Sequence, residues 1–177
     1  MIFLRIISGK YKGKVLKGYN IEGTRPTMDR VKESIYGIIQ GYVKDSTVLD
    51  LFAGSASLGL EAISNGAKKL VLIDNNKKVT DIIKSNIKSF DDDIEVLTMD
   101  YKKYLKTTDE RFDIIFLDPP YRAGLMNKAL RIIEERNIIN KNGIIICEFE
   151  NIKIKTSLEL IREKRYGSKM VCIYKKN

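Results

Sequence analysis

Phe112-Asp113-Ile114-Ile115-Phe116-Leu117-Asp118-Pro119-Pro120-Tyr121 is the stretch that decides the fold of this chain. Five apolar residues in seven positions read as a buried strand. Two adjacent prolines have no N–H for a sheet ladder, so the strand must stop there. A parallel strand that ends on an acid and a ring puts Asp118 and Tyr121 at the sheet's carboxyl edge, where open α/β folds bind ligands.

Outward from that strand, apolar runs alternate with helical patterns. Thr47–Phe52 reads as a strand, 53–57 as a small-residue turn and 58–65 as a helix. A strand at 70–74, a helix at 76–90, a strand at 94–98 and a short helix at 101–105 follow. Beyond the opening stretch come a helix at 125–136, a strand at 144–149, a helix near 157–163, and two short strands around 165–166 and 170–174. This alternation predicts an α/β fold, a doubly wound, mostly parallel seven-stranded sheet of Rossmann-like kind, with an antiparallel pair closing one edge. Residues 1–46 stand apart as an extension of the core at 47–177. They read as a hairpin around Gly9-Lys10-Tyr11-Lys12-Gly13, then a helix from about Met28 to Gln40 capped by Thr27.

Composition narrows the chemistry. The chain has 177 residues, a net charge of +9, two cysteines and no histidine. One domain is the expectation at this length. Without histidine there is no imidazole catalysis, and no metal site is expected. Cys147 and Cys172 lie inside apolar runs, which fits a reducing cytoplasmic compartment. No run approaches the roughly 18 apolar residues of a membrane span. Residues 1–46 carry nine Lys/Arg against four Asp/Glu, and 151–177 carry eight against two, around a near-neutral centre. Two basic ends suit a polyanion if they meet in space, and a solvated basic surface is the alternative. Lys10, Tyr11 and Lys12 in the hairpin loop, with Arg25 and Arg30 at the helix entrance, are the candidates for phosphate contact and base stacking.

Asp50 to Gly59 carries Gly54-x-Ala56-x-x-Gly59, one substitution from the glycine fingerprint of nucleotide-binding βα turns. Gly54 permits the tight turn and Gly59 close helix–strand packing. Asp74, twenty residues on, suits two ribose hydroxyls, and Asp100 an adenine amino group. The candidate cofactor residues are thus Asp50, Phe52, Gly54, Ser55, Gly59, Asp74 and Asp100. Such a loop also suits NAD, or plain packing. Asp50 favours a ligand with a positive centre, which tips the choice toward S-adenosylmethionine.

Asp118-Pro119-Pro120-Tyr121 suits methyl transfer to an exocyclic amino nitrogen, whose lone pair is drawn into its ring. The Asp118 carboxylate and the Pro119 carbonyl would accept its N–H bonds, and Tyr121 would stack on the base. With the methyl carbon held roughly 3–3.5 Å from the nitrogen, positioning carries most of the catalysis. A carbon-methylating enzyme would want a cysteine at this edge, and neither cysteine is placed for it.

These residues, with Arg5 to Gly13, Thr24-Arg25-Pro26-Thr27, Asp29-Arg30-Val31-Lys32-Glu33 and Arg165-Tyr166-Gly167, resemble the RsmD-type family of bacterial 16S rRNA guanine-N2 methyltransferases. The resemblance covers nearly the whole chain. It implies a class I methyltransferase sheet with S-adenosylmethionine as donor. The implied target is one guanine of 16S rRNA, position 966, on an assembling 30S subunit, and the expected state is a monomer. The family commonly has glycine where this chain has Ala56. A positive φ there would make alanine a handicap, and a negative one would change little. An amino-methyltransferase acting on DNA adenine or cytosine is the alternative, though it usually needs a separate recognition segment for which this chain has no room.

Overall fold

The structure, a computed structural model, describes residues 3–18, 26–120 and 124–177, without the side chains of residues 3 and 26–28. In chain order the elements are β1 (Phe3–Arg5), β2 (Val15–Lys17), α1 (Pro26–Val43), β3 (Thr47–Asp50), α2 (Ser57–Ser64), β4 (Lys69–Asp74), α3 (Lys77–Ile87), β5 (Asp93–Thr98), α4 (Tyr101–Thr107), β6 (Phe112–Leu117), α5 (Leu125–Glu135), β7 (Ile139–Phe149), β8 (Glu159–Tyr166) and β9 (Lys169–Lys175). Seven strands form one sheet in the order β5-β4-β3-β6-β7-β9-β8, with β9 antiparallel to both neighbours. From β3 the chain winds one way through β4 and β5, then returns to β6 on the other side. That reversal makes the carboxyl ends of β3 and β6 the crevice of the sheet.

The sheet is buried on both faces because its strands are apolar at consecutive positions. Ile114 and Phe116 face a core shared with α1 and α2, while Ile115 and Leu117 face the core under α4 and α5. The period-2 rule extends this to the strand ends. Asp50, Asp118, Glu148 and Lys169 follow Val48, Phe116, Ile146 and precede Val171 by two, so all four belong to the α1 face.

Three boundaries differ from the sequence expectation. Residues 157–163 are not a helix: Glu159–Tyr166 is the edge strand β8, paired to β9 along its length. A register shift between Leu160 and Arg162 marks a bulge that breaks the alternation there. With almost no buried stripe on β8, its pairing comes from β9 and not from local pattern. Helix α1 runs past Gly41 because Val43, almost fully buried, continues the stripe from Ile39. Strand β7 starts at Ile139, with residues 140–143 looped out of its pairing with β6.

The N-terminal segment shares the core. Leu4, Ile6 and Leu16 pack with Val31, Ile35, Leu60 and Ile63. Its polar anchor is a buried ion pair. Glu61 is fully buried on α2, and its carboxylate accepts the Ile7 amide at 3.1 Å, the Ser8 amide at 2.8 Å and the Ser8 hydroxyl at 2.7 Å. Lys32 Nζ lies 3.2 Å from Glu61 and donates to the Arg5 carbonyl and Ser57 Oγ, each at 2.8 Å. A buried charge survives only when so many partners replace water. Hairpin, α1 and α2 are thereby tied at one point.

Helix direction fixes where each end lies. Lys32 reaches Ser57 at the start of α2, and Tyr36 packs on Phe116 and donates to the Leu58 carbonyl. The beginning of α1 therefore lies at the carboxyl edge and its end at the opposite edge, leading into β3. The hairpin loop sits at that opposite edge. Its partners are Ser64 at the end of α2, Ser89 beyond α3, and Asp91 and Asp92 before β5. The eight residues of α2 separate the two edges by about 12 Å. Among the described residues no helix is long and apolar enough to cross a membrane.

Candidate active site

Strand β3 delivers Asp50 to the crevice almost fully buried, where it accepts the Gly59 amide at 3.3 Å. Burial pushes its carboxyl up to about 7, the Gly59 and Phe52 amides pull down, and Asp74 pushes further up. A nearby cation is what would hold Asp50 ionised.

The turn after it is tight for stated reasons. Gly54 has φ +52, and a Cβ there would meet only the Phe52 carbonyl oxygen, at 3.9 Å. At Gly59 a Cβ would lie 2.9 Å from the methyl tips of Leu70 and Leu72, so any larger residue would push those side chains aside where helix and strand meet. Between them Ala56 adopts φ +59, ψ +14, with its methyl fully buried. The left-handed conformation costs a non-glycine residue about 1–2 kcal/mol. The positive φ is thus the strained case foreseen for this position.

Asp74 ends β4 and accepts the Gly54 amide at 3.0 Å with one oxygen and the Asn76 amide at 2.9 Å with the other. Those bonds fix the carboxylate beside the turn and leave lone pairs on both oxygens. Ser55 Oγ accepts the Ser57 amide at 3.3 Å. Asp100 is exposed and caps α4 by accepting the Lys102 and Lys103 amides. Phe52 stacks on Tyr101, with ring centroids 5.1 Å apart. Tyr101 Oη is buried without a hydrogen-bond partner among the described residues. Sequence reasoning did not single out Tyr101, whose only local sign was its place after Asp100.

A buried acid that wants a cation, an open glycine turn, a held carboxylate and an orphaned hydroxyl fit an aminoacyl nucleoside such as S-adenosylmethionine. Among the described residues no group of side chains could hold a metal ion.

The candidate reacting end is one strand over. Asp50 pairs with Phe116, so Asp118 leaves the sheet immediately beyond it. Asp118 opens to solvent at the rim, while protein from three strands crowds its carboxyl. Burial pushes it up most, Glu148 adds to that, Lys169 pulls down and Asp50 pushes up slightly, setting it to about 8. Water in the open crevice screens that push, and a base stacked over the carboxyl would strengthen it. Pro119 is half-buried, with its carbonyl next in the chain. Tyr121 and Arg25 lie outside the described residues, as does the Thr27 side chain. Cys147 and Cys172 sit on the other face, and burial pushes both thiols up, which leaves them inert.

The candidate RNA-contacting residues divide. Arg30 is exposed near the start of α1, at the carboxyl edge. Lys10 pairs with Asp92 at 2.5 Å, and Tyr11 packs on Phe90 while donating to Asp92 at 2.6 Å. Both are at the far edge, with the exposed Lys12 between the loop glycines. The basic C-terminal segment does meet the N-terminal one: Lys164 donates to Ser34 on α1 at 3.0 Å, and Tyr166 bonds the same hydroxyl.

Two more functional-looking residues escaped sequence reasoning. Glu148, at the end of β7, is paired to Lys169 at 2.7 Å. Glu148 closes the run Ile144–Cys147 as Asp118 closes β6, so the same strand-end rule could have found it. Lys169 opens an antiparallel strand, and only topology brings it to this edge.

Known proteins resemble this chain over nearly its whole length. The family described as conserved hypothetical protein 95 matches residues 4–175. Ribosomal RNA small subunit methyltransferase D of Haemophilus influenzae is 37% identical over 172 residues, covering 93% of this chain and 89% of that protein. The solved structure of yhhF from Escherichia coli superposes with a TM-score of 0.90 at 29% identity, covering 99% and 98% of the two chains. The fold is also that of a Thermus thermophilus 16S rRNA N2 G1207 methyltransferase solved with AdoMet and guanosine, at TM-score 0.73 and 16% identity over 99% of this chain and 50% of that one. With nearly its whole length matched by the family and the methyltransferase sheet in place, the chain belongs to the conserved hypothetical protein 95 family, the RsmD-type methyltransferases.

Proposed function

We propose that this protein methylates ribosomal RNA of the small subunit, at the exocyclic N2 of a guanine, with S-adenosylmethionine as donor. By family resemblance the guanine is position 966 of 16S rRNA on an assembling 30S subunit. The observation that carries the reading is the placement of Asp118 on β6 directly beside the Asp50–Gly59 turn on β3. Donor pocket and amino-nitrogen holder then share one crevice.

When bound, the donor supplies an electrophilic methyl carbon on a sulfonium sulfur: the N2 lone pair forms the N–C bond as the C–S electrons pass to sulfur. Asp118 and the Pro119 carbonyl accept the two N–H bonds of the amino group and draw its lone pair out of conjugation with the ring and toward the methyl carbon. Tyr121 stacks on the base. One amino proton leaves by way of Asp118 to water. Asp50 faces the cationic end of the donor, and Asp74 its ribose. For the polyanion, Arg30 near the start of α1 and Arg162 and Lys164 on the adjoining β8 offer a basic face beside the catalytic edge. Lys10, Tyr11 and Lys12 are left a secondary role, since the first two already have protein partners.

The test is transfer of labelled methyl to 30S particles lacking the mark, with mass-spectrometric mapping of the nucleoside. N2-methylguanosine in 16S rRNA is the expected product. Label in duplex DNA and none in rRNA would overturn the reading.

A further inference from the structure

Asp118, Glu148 and Lys169 sit in a row along one edge and one face of the sheet, on the neighbouring strands β6, β7 and β9. Leu117 pairs with Cys147, which sets Asp118 beside Glu148. Adjacent strands are about 4.8 Å apart, close enough for the side-chain heads to meet one planar ligand. The Glu148 side chain is only 11% exposed, and Lys169 holds it at 2.7 Å. The pair is therefore fixed before any base arrives.

Read across the row, the groups are acceptor, acceptor, donor. The Watson–Crick edge of guanine reads N2–H, N1–H, O6, which is donor, donor, acceptor in the same order. We propose that Glu148 and Lys169 are the specificity-determining residues for the base, Glu148 accepting N1–H and Lys169 donating to O6 while Asp118 holds N2. The assignment rests on the guanine-N2 reading above and adds to it what selects guanine.

The row also rejects competitors. Adenine and cytosine each place a bare ring nitrogen beside their amino group, so an acceptor would face the Glu148 carboxylate. Two opposed acceptors in a closed site lose a hydrogen bond and leave a charge unpartnered. Sites built on such bonds discriminate more strongly than apolar pockets do. Glu148 and Lys169 also bear on Asp118 directly, one raising and the other lowering its proton affinity.

The test uses 2-aminopurine, which keeps the 2-amino group but has an unprotonated N1 and no O6. The target is first mapped by mass spectrometry; label on a base other than guanine would defeat the functional reading before this proposal is reached. RNA carrying guanine or 2-aminopurine at the mapped position is then assembled into the same particle and assayed with the intact protein. The wild type should prefer guanine by about 100-fold or more. Glu148→Gln, which offers an N–H to the bare N1, should narrow that ratio at least about ten-fold, with S-adenosylmethionine affinity by calorimetry within about twofold of wild type. Lys169→Met should narrow it by about ten-fold too, because only guanine has an O6 to lose. A merely structural pair would lower both activities together. An unchanged ratio in both variants overturns the proposal.

Discussion

The carboxyl edge and the hairpin loop make an instructive pair. Both gather charged and aromatic residues, and both look from sequence like places where RNA would be held. In the loop those groups are spent within the protein: Lys10 on Asp92, the Tyr11 ring on Phe90 and its hydroxyl on Asp92. At the carboxyl edge Asp118 is exposed at a rim, Glu148 is held by Lys169, and Arg30 is exposed nearby. Composition does not separate a docking clip from a binding surface. What separates them is which end of the strands the groups occupy.

The largest expected effect comes from the anchor of the N-terminal segment. Lys32→Met leaves Glu61 buried with its charge and should cost about 3–5 kcal/mol in urea unfolding. A loss under about 1 kcal/mol would mean that the hairpin is held by its apolar contacts alone. At the other region, Asp118→Ala should lower kcat/KM for methyl transfer about 10²–10³-fold while leaving the unfolding midpoint nearly unchanged. Equal damage to activity and stability would make Asp118 a structural acid, and the contrast between the two regions would collapse.

Acidity gives a finer test. Asp50 is set to about 7 by burial, above the usual carboxylate range, so the folded state binds its proton more tightly than the unfolded chain. Its contribution to stability is full below pH ~4 and is lost as pH rises through about 7. Asp50→Asn should flatten the decline in unfolding free energy between those values, and a slope identical to wild type would refute the assignment. In kinetics, kcat should rise with pH through the range above the ordinary carboxylate values in which Asp118 ionises beneath the bound base. Lys169→Met should move that midpoint upward and Glu148→Gln downward, because one removes a cation and the other a carboxylate.

Salt dependence separates the basic surfaces. Arg30→Ala should flatten the slope of log K against log salt by about 0.7–0.9, the share of one phosphate contact. Lys10→Ala should leave it unchanged, as its charge already faces Asp92. The reverse result would move the RNA path to the far edge. The smallest effect is expected at Ala56→Gly. Relief of about 1–2 kcal/mol of left-handed strain is offset by a buried methyl worth about 0.8 kcal/mol and by the entropy of glycine, about 0.5–1 kcal/mol. Net stability should move by less than about 1 kcal/mol in either direction; a gain above about 1 kcal/mol would mean that the methyl packs against nothing useful.

By itself the sequence determined the parallel core, the crevice and the candidate acid at its rim. Those features are written locally: an apolar run fixes a strand, prolines after Asp118 fix its end, and Gly54 and Gly59 fix the turn. Tertiary structure alone decided the rest. The strand β8 was read as helix because its pairing partner β9, not its own pattern, makes it a strand. Lys32 and Glu61, lying 29 residues apart in sequence, gave no sign of their pairing. Lys169 reaches the active edge only because β9 runs antiparallel between β7 and β8. Local pattern reports which face and period a segment needs. The neighbour it will meet is settled by how the sheet winds, and that is where the docked loop parted from the working edge.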